Sequence, residues 1–430
     1  MSIFNWKKKT AENNDHETGY PLRAEPPSIA QQLNVDRLYA ITTAAEAGNT
    51  RDLFTLYRDL IATDSHTQAE IAKRKLAVMG DRWTIHPWDK QQPADKQAAD
   101  LIEKTIHNCP SWKTACIHLL DASLYPVAVC EKIYQPAPGG FSLKALVPVP
   151  HYLLDYTTGR MRISDVDPHT GTILPTTHDP SPERYIIHRG HLLTSPDTWG
   201  GPMRSILYWW LLGAMSRDWW ARYLDRYGSP FLIGHYPQGD DKSRNILRTA
   251  FSVATKLGGL VVTDKTRVEI QQAATGATGD AYEKFITICN REKSKLILGQ
   301  TLSADSQPTG LGSGVANMQE GVRQDIRMWD AASLADTIRT QLFEQHLAIN
   351  NTEATTPTIT WGSISIEELK AKADLLAALK NAGYRMTEDE IGIFSEEVGM
   401  SLERDPQAAP GGGGMRPFLE SYAAERPIHP

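Results

Sequence analysis

Apolar residues recur at intervals of three and four over the first quarter of the chain, a spacing that predicts amphipathic helices. Leu33, Leu38, Ile41 and Ala45 share one face, and Gly48-Asn49 stops the pattern. A second helix is expected from about Thr50, carrying Leu53, Leu56, Tyr57 and Leu60. A third is expected from Ser65 to Met79, closed by Gly80. Residues 82–88 (RWTIHPW) read as a short strand, and residues 94–107 and 112–123 as two more helices. The period then shortens. Residues 127–134 (VAVCEKIY), 141–147 and 152–156 are β-rich and separated by Pro and Gly. They predict an antiparallel meander that runs on through Met161-Arg-Ile163 to a strand at residues 184–188.

From Gly200 the helical period returns. Residues 203–227 predict one helix of about 25 residues, or roughly 37 Å at 1.5 Å per residue. It carries Trp209, Trp210, Trp219 and Trp220 and ends at Gly228-Ser-Pro230. A small α/β insert is expected next, with strands at 231–236, 260–263 and 268–272 and a helix over 241–256. A second long helix follows over about 280–298. The segment 300–314 (QTLSADSQPTGLGSG) is long, polar and glycine-rich. Loops of that length are uncommon and usually functional or disordered. The longest helix is expected over 315–349, with Val315, Met318, Val322, Ile326, Trp329, Leu334, Ile338 and Leu342 on its apolar face. After a strand at 358–361, the capping boxes Ser365-x-x-Glu368 and Thr387-x-x-Glu390 announce two more helices. Residues 1–30 lack periodicity and read as a mobile arm. The tail from Arg404, with Pro410 and four glycines, reads as disordered.

Composition narrows the class. The 430 residues are 41% hydrophobic and 22% charged, as in ordinary folded domains. A net charge of −6 argues against a general basic coat for nucleic acid, which would carry excess Lys and Arg. The charge is polarised, however. Residues 203–300 hold fourteen Lys and Arg against nine Asp and Glu, whereas residues 363–405 hold five against ten. Cys109, Cys116, Cys130 and Cys289 follow no zinc or redox spacing and read as buried free thiols in a reducing cytoplasm. No signal peptide or membrane-spanning run is expected, since the richest apolar stretch, 206–214, ends at Arg217 and Asp218.

The search for chemistry finds little. There is no GxxxxGK[ST], GxSxG, HExxH or kinase set. Gly310-Leu-Gly312-Ser-Gly314 has the wrong glycine spacing for a dinucleotide loop and follows a polar segment, so it reads as a hinge. Asp165-Val-Asp167-Pro-His169, with His178 and Asp179 nearby, offers oxygens and an imidazole to a divalent ion. The competing reading is a polar turn at Asp-Pro and Thr-Gly, and it is preferred. His188-Arg-Gly-His191 closes an apolar strand and reads as structural. No catalytic centre, metal or cofactor is expected. Lys284, Arg291 and Lys295, at offsets of seven and four, fall on one face of the second long helix, opposite Phe285, Ile286, Cys289 and Leu296. They are either a basic band facing DNA or a solvated face paired with Glu283 and Glu292.

Two long helices around a small insert, then a polar loop and a longer helix, make a layout that resembles the portal proteins of tailed bacteriophages, closest to those of Mu-like phages and prophages. The resemblance rests on YIIHRG at 185–190, Gly200-Gly-Pro-Met-Arg-Ser205, Arg226-Tyr-Gly-Ser-Pro-Phe231, Glu283-Lys-Phe285, Ile297-Leu-Gly-Gln-Thr-Leu302 and Gly312-Ser-Gly-Val-Ala-Asn317. It covers the chain from about Leu33 to Met400. It implies an α+β portal fold. The wing would occupy 31–202, with stem helices at 203–227 and 277–300 and a clip at 228–276. A tunnel loop would follow at 301–314, then the long helix and return strand of the wing at 315–362. An acidic helical crown at 363–405 and a disordered tail at 406–430 complete the layout. It also implies a homo-oligomeric ring, typically a dodecamer, at one capsid vertex. The implied partners are the terminase large subunit, major capsid and scaffold proteins, a neck or head–tail adaptor, and double-stranded DNA, with no membrane. The implied place is the virion, and the host cytoplasm during assembly. The candidate channel residues are Lys284, Arg291, Lys295 and the loop's Ser303, Asp305, Gln307 and Thr309. That loop has no Lys or Arg, so polar contact and sterics are expected there rather than phosphate gripping. Two alternatives stand beside this non-enzymatic reading. One is a metal-dependent nucleic-acid enzyme using Asp165, Asp167 and His169, and the other is a scaffold or adaptor that forms no ring.

Overall fold

The structure is a computed structural model. It describes residues 25–30, 33–227, 231–235, 240–257, 267–271, 277–300, 313–362, 370 and 373–378. The chain divides into two units, Met1–Gly362 and Ser363–Pro430. The two capping boxes and the tail from Arg404 lie outside the described residues, as do residues 1–24 of the expected arm. The arm's last six residues are held. Asp59 accepts hydrogen bonds from Ser28 Oγ (3.0 Å) and from the Ile29 and Ala30 N–H groups.

Helix α1 (Val35–Glu46) starts where the Asn34 side chain accepts the Arg37 N–H at 2.8 Å. It stops before Gly48, whose φ is +103° and where a Cβ would lie 2.6 Å from the Tyr156 carbonyl oxygen. Helices α2 (Arg51–Thr63) and α3 (Ser65–Met79) meet at Asp64, which ends one and caps the other. Strand β1 (Trp83–His86), α4 (Pro93–His107) and α5 (Trp112–Leu119) follow. A 3-10 turn over Leu120–Ser123 then extends α5.

The β region is not one meander. Strands β2 (Ala128–Ala137) and β3 (Gly140–Val149) form a hairpin. Strands β4 (Leu154–Asp155), β5 (Arg162–Val166) and β6 (Ile173–His178) form a separate antiparallel sheet. Strand β7 (Tyr185–His188) then returns to the other edge of β2, giving the order β3-β2-β7. The expected strand at 152–156 shrinks to two residues, because Pro150 leads into a 3-10 turn over His151–Leu153.

β2 is a partition between two cores. Val127 and Val129 pack with α1, α2 and the start of the next helix, while Ala128 and Cys130 pack with α4, α5 and the later helices. Alternate side chains point to opposite faces, and with both faces covered the strand reads as an unbroken apolar run.

Beyond Gly200 come α6 (Met203–Tyr227), β8 (Phe231–His235), α7 (Asp241–Leu257), β9 (Arg267–Gln271) and α8 (Ala277–Leu298). β8 and β9 are antiparallel, pairing Phe231 with Gln271. The strand expected at 260–263 lies outside the described residues. The long helix is interrupted: α9 (Ser313–Ile338) passes through a π-turn over Arg339–Phe343 into α10 (Glu344–Ile349). Lys132 Nζ donates to the Gln341 and Pro182 carbonyls, both at 2.7 Å, and to Gln345 Oε1. The Gln341 amide brackets Ile187 of β7, accepting its N–H at 2.7 Å and donating to its carbonyl at 2.9 Å. The widened turn thus lies where the helix is stitched to the β3-β2-β7 sheet. Strand β10 (Thr358–Trp361) closes the unit by pairing with β1, Trp83 opposite Trp361.

Candidate functional site

Helices α6 and α8 pack against each other as an antiparallel pair. Tyr223 meets Tyr282 with ring centroids 6.0 Å apart, and a Cβ on Gly213 would lie 3.5 Å from that of Cys289. Lower down, Ile206 and Leu207 share a core with Ile297 and Leu298. The insert β8–α7–β9 joins their far ends in the chain.

The pair is rooted in buried charge. Lys293 of α8 is 1% exposed and its ammonium meets Asp64, which also accepts from Thr67 Oγ1 at 2.5 Å. Arg217 of α6 stands 3.9 Å from the same carboxylate. Burial pulls the Lys293 amine below its usual range, and Asp64 beside it acts against that fall. Burial pushes the Asp64 carboxyl up, but hydrogen bonds from Lys293 and Thr67 outweigh it and hold the acid below its ordinary value. Close by, His66 Nε2 and Ser294 Oγ are 2.8 Å apart.

A second anchor holds both flanks of segment 301–312. Arg74 of α3 grips Asp330 of α9 through two bonds of 2.7 and 2.9 Å, and donates to the Ile297 carbonyl at 2.9 Å. That carbonyl belongs to the last turn of α8, where helical partners run out. Gly299 follows with φ +69°, and a Cβ there would lie 2.9 Å from Val322 Cγ1. Neither Lys293 nor Arg74 was signalled by the helical pattern. A lysine among Cys289, Ser294 and Ile297 could have been picked out by its position on the apolar face, but its partner, 229 residues away, could not.

Of the candidate channel residues, Lys284, Arg291 and Lys295 are all exposed on α8. Ile288, also exposed, falls on the same face, so the band is not purely basic. Lys295 pairs with Glu292, as the solvated-face reading expected. On the other side Cys289 is buried and Ile286 and Leu296 are half-buried, but Phe285, expected there, is exposed. Helix α6 exposes Tyr208, Leu212 and Trp219, at offsets of four and seven and hence in one stripe. Ser303, Asp305, Gln307 and Thr309 lie outside the described residues.

The acidic cluster comes apart. Asp167 accepts the His169 N–H at 2.8 Å and the Thr170 N–H at 3.3 Å, while the Gly171 N–H bonds its carbonyl, a closed polar turn. Asp165 turns away to His178 Nδ1 at 2.6 Å, whose Nε2 is 2.8 Å from the Tyr185 hydroxyl. His188 is a buried strut bonded to Thr337 Oγ1 at 2.8 Å. All four cysteines are buried free thiols. Among the described residues no helix is long and apolar enough to cross a membrane.

The sequence profile of the family described as portal protein of Mu bacteriophage matches residues 54–400. The portal protein of Escherichia phage Mu is 25% identical over 342 residues, covering 77% of this chain and 62% of that protein. The chain therefore spans less than two thirds of that relative's length. The Mu-like prophage FluMu protein gp29 of Haemophilus influenzae is 26% identical over 383 residues, 86% of this chain and 70% of its own. Among solved structures, a chain from the virion of a native gene transfer agent particle has a TM-score of 0.53 at 12% identity, covering 81% of this chain and 94% of itself. One from the neck of a native particle of that kind, computed with C12 symmetry, has a TM-score of 0.52 at 14% identity, covering 85% and 99%.

Proposed function

The chain belongs to the portal protein family of Mu bacteriophage, and from that premise we propose that its copies close into a ring forming a DNA channel at one vertex of a capsid. The observation that carries this reading is the α6–α8 pair. It is rooted by Asp64 and Arg74 and presents Lys284, Arg291 and Lys295 outward. A head-to-tail interface with a fixed rotation closes into a ring, and the exposed stripe of Tyr208, Leu212 and Trp219 supplies apolar surface for such contacts. A neck whose chain shares the fold is computed with C12 symmetry, which supports twelve as the copy number.

Charge supports a conduit over a clamp. Each phosphate that a protein neutralises adds salt-sensitive affinity, and a channel that gripped every phosphate would stall its cargo. A chain of net charge −6 with a sparse, partly paired basic band passes a polyanion without holding it. In this reading the ring nucleates head assembly on capsid and scaffold proteins. It docks the terminase large subunit through a clip at 228–276 and later joins a neck adaptor. Residues 301–314 line the constriction, and 363–405 form the crown. The ring assembles in the host cytoplasm and resides in the virion. Its work is structural rather than enzymatic.

The test is the native mass of the purified chain, with negative-stain images of the same fraction. Rings of about a dozen copies with a central hole are expected. A species that stays monomeric at high concentration, alone and with its scaffold and capsid proteins, would overturn the reading.

A further inference from the structure

A second cluster lies apart from the long helices, where the end of α5 meets the corner after β3. His118 sits in the last turn of α5, Asp121 in the 3-10 turn that extends it, and His151 opens the turn that follows Pro150. One ligand atom from each of the three falls within 4.8 Å of the others. The imidazoles are oriented. His151 stacks on Tyr125 with centroids 3.9 Å apart, and His118 Nδ1 lies 3.3 Å from Asp121 Oδ2. Yet the Nε2 atoms of both histidines are buried without a hydrogen-bond partner. Buried polar nitrogens are rarely left unsatisfied, and here two occur in one cluster.

We propose that His118, Asp121 and His151 form a binding site for a divalent transition metal of the zinc class. Two imidazoles and a carboxylate suit zinc, cobalt or nickel better than the hard cations magnesium and calcium. The tautomers fit. In the tautomer protonated on Nε2, His118 turns its Nδ1 lone pair to the site, 3.3 Å from Asp121 Oδ2, the spacing of two ligands on one ion. His151 Nε2, buried without a hydrogen-bond partner, offers the second nitrogen. A tetrahedral zinc at about 2.1 Å from each ligand holds those atoms about 3.4 Å apart, so small side-chain rotations complete the set. Lys75 Nζ lies 2.5 Å from Asp121 Oδ1, and its charge tempers the affinity for a cation. The ion would tie the end of α5 to the corner after β3, across the core that contains Phe54, Tyr57 and Tyr125.

The experiment uses the full chain, stripped with chelator, desalted and titrated with Co2+ under visible absorption, then with Zn2+ in competition. We expect a saturable d–d band at one Co2+ per chain, bleached by Zn2+, and an unfolding midpoint raised by Zn2+. His118→Asn and His151→Gln each lose the band while native mass and far-UV dichroism are kept, and exposed His169→Ala retains it. The wild-type titration needs no variant to fold. Absence of a saturable band there, or a band that survives both histidine substitutions, overturns the site.

Discussion

Single residues decide how firmly the two long helices are planted. Lys293 and Asp64 are buried together, and removing one partner of such a pair strands the other charge at a cost of about 3–5 kcal/mol. Lys293→Met, which keeps the volume, should therefore lower the denaturation midpoint far more than Lys295→Met, whose ammonium is exposed. Parallel urea titrations of the two variants decide it. His188 ties stability to pH. Burial holds its imidazole at about 4, below its ordinary 6.5, so the unfolded chain takes up a proton that the folded one refuses. Stability contributed by the neutral ring is complete above pH 6.5 and is lost as pH falls from there towards 4, by about 2 kcal/mol at pH 5. His188→Asn keeps a polar group for Thr337 and should narrow the stability gap between pH 7 and pH 5 by about that amount. Little of this was legible beforehand. A histidine closing an apolar strand read correctly as structural, and Asp167 as a turn residue, because both depend on neighbours in sequence. Asp64 with Lys293 and Arg74 with Asp330 depend on side chains from distant segments, and no local pattern encodes them.

Elements were legible in proportion to their punctuation. α3 and α6 begin and end where the sequence marks them, at Asp64 and Gly80 and after Gly200-Gly-Pro. β6 was hidden, since Pro175 and its threonines blur the alternation, and such a strand survives because it lies at a sheet edge. The return of β7 to β2 was also hidden, as pairing between strands separated by a whole sheet leaves no periodic trace. The π-turn has no sequence signal at all; it lies where Lys132 of β2 bonds the Gln341 carbonyl and the Gln341 amide bonds Ile187 of β7. The basic band of α8 was found by its spacing, with exposed Ile288 overlooked. Its role is testable as an element: Lys284→Gln, Arg291→Gln and Lys295→Gln together should leave ring mass unchanged and reduce the yield of filled heads. Normal filling by the triple variant would assign the band to solvent.

At the scale of the whole molecule the insert and the body are separable in the proposed function. Deleting residues 228–276 and bridging the α6 and α8 ends with a short linker should leave rings visible by native mass spectrometry yet abolish terminase binding in pull-down. Packaging at the wild-type level would show that the insert is not the docking element. The pairing of β1 with β10 bears on something else, the order in which the chain is made. Trp83 leaves the ribosome on the order of tens of seconds before Trp361, its strand partner. Until β10 is made, the core that includes Trp112, Ile338 and Phe343 stays open on the side that Ile359 and Trp361 close. A copy whose translation stops short of Thr358 lacks the strand that pairs with β1. Closure of this core therefore waits for a strand made near the end of the first unit, and truncation before Thr358 is expected to leave it unsealed.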